Sequence, residues 1–172
     1  MQFPKRYIIV SFLILSLVAG LSISWGFENE PKAFRGIKWG TDVNDLSDMI
    51  FHTRSGESKV YFRKNDKLKI GAANLLQIWY FFSKDKLYSV VIMFEEWSNF
   101  NALKTELFKR HGTGYAPDRF TEEYRWVGSE VIVFFDYNEI DDKGRLSYYY
   151  LPIMKEQLEE STETDEKADD NP

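Results

Sequence analysis

Leu75 to Glu96 reads LLQIWYFFSKDKLYSVVIMFEE. Two runs rich in aromatic and β-branched residues flank a polar break, Ser83-Lys84-Asp85-Lys86. This is the pattern of a β-hairpin with a four-residue loop. On the first arm Ile78, Tyr80 and Phe82 alternate with Trp79 and Phe81. On the second, Leu87, Ser89, Val91 and Met93 alternate with Tyr88, Val90, Ile92 and Phe94. Both faces are substantially apolar. A hairpin of this kind belongs at the centre of a sheet, either covered on both sides or covered on one and left aromatic on the other for contact.

Downstream of the hairpin, Ser98 is a helix N-cap candidate. Phe100, Leu103 and Leu107 follow at helical spacing, Lys109, Arg110 and His111 occupy a last turn that favours cations, and Gly112 fits a C-cap, so a helix is expected over 98–111. Three strands are expected after it, over 121–127, 130–137 and 145–151, with Gly128-Ser129 as a two-residue turn. Upstream, Thr41 is a plausible N-cap, and Val43, Leu46, Met49 and Ile50 share a helical face. This spacing predicts a short helix over 42–51. Lys59 to Ile70 (KVYFRKNDKLKI) reads as a strand, an Asn65-Asp66 turn and a second extended arm. Its five bases suit an edge strand protected from sheet-to-sheet pairing, with a basic patch for an anionic partner as the rival reading.

The expected fold is α+β: an antiparallel sheet of about six strands with two helices on one face, arranged as two halves, each a helix followed by three strands. Residues 1–26 read as a secretory signal. Lys5 and Arg6 precede the apolar run Tyr7 to Val18, and Ser24-x-Gly26 fits a cleavage site ahead of Phe27. An uncleaved anchor is the other reading, since no charge falls between Tyr7 and Trp25. Residues 27–154 form the α+β domain. The stretch 155–172 holds eight acids against two bases and reads as a frayed helix passing into a disordered tail.

FRGIKWGT (34–41), the arm YFRKNDKLKIG, the hairpin motif F-x-x-D-K-L-Y-S-V-x-I-x-F and SNFNALKTELFKRHGTG together resemble a group of small secreted bacterial proteins of unknown function that open with F-x-G-I-x-W-G-T. The resemblance covers about residues 34–152. It implies an envelope or secreted location and no particular activity.

The body of the chain is close to neutral, which offers no footprint for nucleic acid. There is no cysteine, and neither histidine, His52 or His111, lies in a metal-ligand spacing, so neither a metal nor a cofactor is expected. No nucleophile motif is present. The feature left to carry function is the aromatic surplus, 17% of residues. Tyrosine and tryptophan are the side chains that interfaces use as anchors. The candidate interface is Trp79, Phe81, Tyr88, Tyr124, Trp126 and Tyr149. The chain therefore reads as a non-enzymatic, periplasmic or secreted protein-binding module of the bacterial envelope, its partner another envelope protein. Membrane contact is expected only through the N-terminal segment if it is uncleaved. A small-molecule or lipid carrier is the alternative, followed by an enzyme acting on cell-wall material through paired carboxylates.

Overall fold

The computed structural model describes the backbone of residues 27–169 and the side chains of 27–160. The expected signal segment lies outside the described residues.

The decisive hairpin is formed by β7 (Gln77–Ser83) and β8 (Lys86–Glu95), paired from Gln77↔Met93 to Ser83↔Lys86. Its loop is two residues long, not four. Lys84 and Asp85 both take positive φ, 47° and 64°, the geometry that matches a tight turn to the twist of its flanking strands. A bulge at Tyr88 lies between the Phe81↔Ser89 and Phe82↔Leu87 pairs.

The main sheet has seven antiparallel strands rather than six. In chain order they are β3 (Met49–Ser55), β4 (Ser58–Arg63), β7, β8, β9 (Glu122–Val127), β10 (Val131–Asn138) and β11 (Lys143–Tyr150), and they lie side by side as β3-β4-β7-β8-β11-β10-β9. The additional strand is β3, where a helix was expected. Only a 3-10 turn, Val43–Asp45, forms at the head of that stretch, with Asp42 accepting from the Asn44 amide. Val43 and Leu46 use the helical spacing. From Met49 the chain pairs with β4 instead, Met49↔Arg63 through Ser55↔Ser58, because a lone short helix cannot match a full ladder. The basic strand β4 consequently lies inside the sheet and not at its edge. Two small ribbons complete the strands: β1 (Ala33–Phe34) with β2 (Ile37–Lys38), and β5 (Lys69–Ile70) with β6 (Ala73–Asn74).

Helix α1 spans Trp97–His111 and buries Phe100, Leu103 and Leu107. Its N-cap is Glu96, not Ser98, while Gly112 closes it at φ 80° as expected. Phe100 stacks on Phe135 at 4.9 Å and on Tyr137 at 5.1 Å between centroids. Each such pair adds about 0.5–1.5 kcal/mol to its area burial. Beside α1, Phe34 packs on Tyr80 and Tyr148, and Trp39 stacks on Tyr148 and Tyr150. The 34–41 motif thus acts as a second cover for the inner face, bound to the start of β8 by Gly40 and Thr41 to Leu87.

The C-terminal stretch forms helix α2 (Leu151–Asp169). Its bonded side chains meet the opposite, outer face. Gln157 donates to Ser58 (3.1 Å), which shares its strand face with Val60, and Glu160 pairs with Lys84. Of the two helices expected, over 42–51 and 98–111, the second forms as α1, the first does not form, and α2 is a further helix. Of the two expected halves, the second is present as α1 followed by β9, β10 and β11, whereas the first lacks its helix and puts four strands into the main sheet; β8 and β11 pair where the two halves meet.

The chain just past the expected cleavage site is tied down. The Glu28 amide donates to the His111 carbonyl, and the Pro31 carbonyl accepts from the Trp39 indole. Glu30 places its carboxylate in the β9–β10 connection, where the amides of Ser129, Glu130 and Val131 and the Ser129 hydroxyl donate to it at 2.7–3.1 Å. Although burial pushes its pKa up, these donors together hold the Glu30 carboxyl below its ordinary value. The inserted carboxylate accounts for a connection longer than two residues.

Candidate functional site

Strand alternation sorts the six candidate aromatics between the two faces. Trp79 pairs with Val91, Phe81 with Ser89, and Tyr149 also with Ser89, so all three point to the outer face. The bulged Tyr88 joins them there, with its hydroxyl 2.9 Å from that of Ser58. All four are half-buried. Tyr124 and Trp126 point the other way. Trp126 is 1% exposed and donates its indole N–H to the Gly112 carbonyl at 2.9 Å. Tyr124 packs edge-on against Phe108, with Lys104 4.5 Å over its ring and its hydroxyl on Glu122. These two rings support the core, and a side chain as deep as Trp126 cannot anchor a partner.

The bonds of α2 lie at the Lys84, Tyr88 and Ser58 end of the outer face. Further along, the surface is formed by half-buried Trp79, Val91, Met93 and Phe134. Three shielded polar atoms lie close together here on β7, β8 and β11: Trp79 Nε1, Ser89 Oγ and Ser147 Oγ find no hydrogen-bond partner among the described residues. An unmade bond of this kind costs about 1–3 kcal/mol. Toward the β9 edge the same face is a charge ladder, with Asp136 bonded to Arg145 and Glu123 to Arg125. Asp136 and Glu123 sit opposite one another. Each is engaged by its own arginine, so they do not form a free acid–base pair.

A second feature was only half legible in the sequence. Where β4 leaves the sheet, an open concavity of about 430 Å³ is lined by Arg35, Arg63, Lys64, Lys67 and Lys69, with Asp48 and Asp66. Asp66 accepts from Tyr80 Oη (2.6 Å) and pairs with Arg35. Asp48 pairs with Arg63 at 2.6 Å. Burial and the bond to Asp66 push the Tyr80 phenol well above its usual pKa, so it remains a donor. Arg35 also donates to the Lys69 carbonyl, and Arg63 to the Arg35 carbonyl, which fixes the arm. Lysine spacing hinted at this patch. Arg35, thirty residues upstream, had no sequence signal linking it to the others.

Among the described residues no group of three or more His, Asp or Glu side chains is placed to hold a metal, and no helix is long and apolar enough to cross a membrane. Comparison with known proteins finds no matching family model, no similar curated protein and no similar solved structure.

Proposed function

We propose that the protein is a non-enzymatic, extracytoplasmic binding module that engages another envelope protein through the outer face of its sheet. The carrying observation is that half-buried Trp79 lies with Val91, Met93 and Phe134 on the outer face, beyond the Lys84, Tyr88 and Ser58 end where the described side chains of α2 bond, while the inner face is filled by stacked rings. Half-buried aromatics beside Val91 and Met93 supply large, rigid contact area at low entropic cost. The N-terminal signal pattern supports the export assignment.

The test is site-specific photocrosslinking in the source cell with a crosslinking residue at Met93. The expected result is one dominant adduct with an envelope protein, lost when Trp79→Ala is added while the melting curve stays within a few degrees. An adduct that persists in Trp79→Ala, or no adduct at all, sinks the reading.

A further inference from the structure

The corner at which β4 leaves the sheet combines charge and apolar surface in one place. Five basic side chains line the concavity against two acidic ones. Both acids are already committed to the arginines at its base, Asp66 to Arg35 and Asp48 to Arg63. Lys64, Lys67 and Lys69 remain exposed around it. Next to it a smaller concavity of about 240 Å³ includes Phe62, Leu68, Leu76 and Ile78. Leu68 is 46% exposed and Leu76 48%. Ile50, 52% exposed, is the cross-strand partner of Phe62.

We propose that this corner docks onto an anionic phospholipid surface, with the three lysines among the lipid phosphates and Leu68 and Leu76 at the acyl boundary. Lysine alternating with leucine, as in Lys67-Leu68-Lys69, lets the apolar side chain enter while its neighbours reach back to the headgroups. The free cations are lysines, point charges without a forked geometry, and these suit a diffuse layer of phosphates better than a defined carboxylate on a protein partner. The bonds from Tyr80, Arg35 and Arg63 hold the arm in place before contact. The acidic β10–β11 turn at the same end of the sheet lies three strand spacings away, roughly 14 Å. That exceeds the screening length of about 8 Å at physiological salt. The proposal uses a different surface from the protein-binding face and is independent of that reading.

The chain contains no cysteine. Full-length protein carrying Leu76→Cys and an environment-sensitive dye therefore reports on this corner whatever residues 1–26 do. A blue shift with phosphatidylglycerol vesicles and none with phosphatidylcholine is expected. Adding Lys64→Glu, Lys67→Glu and Lys69→Glu should raise the lipid needed by at least about a hundredfold, with an unchanged circular-dichroism melt. No shift, an equal shift with both lipids, or a shift that survives the three substitutions overturns the proposal. Inorganic phosphate should weaken the shift no more than sodium chloride of equal ionic strength. Selective loss in phosphate would assign the pocket to free phosphate and overturn docking to the bilayer.

Discussion

Gly144 faces Phe94 across the two central strands, and the Phe94 ring lies where a side chain at 144 would start. A Cβ there would stand 2.1 Å from the ring and 2.8 Å from the Asp136 carbonyl oxygen. Gly144→Ala is expected to cost about 1–3 kcal/mol through overpacking, read as a lowered urea midpoint with an unchanged slope. His111 is another residue whose surroundings set its behaviour. It is 7% exposed, packs edge-on to Phe27 and Trp126, and its Nδ1–H donates to the Asn29 carbonyl at 2.8 Å. Burial, with Arg110 nearby, pushes its pKa below the ordinary 6.5. The folded protein therefore binds fewer protons here than the unfolded chain. The contribution is complete above about pH 6.5 and declines as pH falls toward the lower folded value. Urea midpoints measured from pH 7.5 to 5.5 should fall, and the fall should be shallower in His111→Phe, which keeps the ring packing.

Of the elements, α1 and the central hairpin were the most legible. The helix pattern is long and uninterrupted, and both hairpin arms alternate over many residues. Leu103 lies at the middle of the buried helix stripe and is fully enclosed. Leu103→Asp should bury an unpaired charge and leave the protein largely unfolded at 37 °C by circular dichroism, whereas Leu107→Ala should cost about 2–4 kcal/mol. The stretch 42–51 was misread because four apolar residues fit a helical face, and nothing local indicates that Met49 onward has a strand partner in β4. Tyr124 and Trp126, named among the interface candidates, lie on the inner face, for a similar reason. Alternation separates the two faces of a strand but does not say which one meets α1. Helix α2 carries a prediction of its own. Its Gln157 reaches Ser58 and Tyr88, so removing residues 156–172 should lower stability by about 1 kcal/mol in a urea titration, where the tail read as a sequence predicts almost no change.

At the scale of the whole molecule, the sheet is closed at one end by residues 28–31. Glu30 bonds to residues 99–101 positions further along the chain. Loop-closure entropy makes contacts of that span late ones. Glu30→Ala should cost about 2 kcal/mol by losing donors to a charged acceptor. It should do so chiefly by speeding unfolding, with the refolding rate nearly unchanged in stopped-flow measurements. The same span gives the clasp a timetable during synthesis. Its socket, the turn around Ser129, leaves the ribosome long after Glu30 does. An emerging chain passes first through a stage in which Glu30 has no socket, and only afterwards through one in which it is fastened. The clasp is therefore a marker of completion, set when the second half of the protein has arrived.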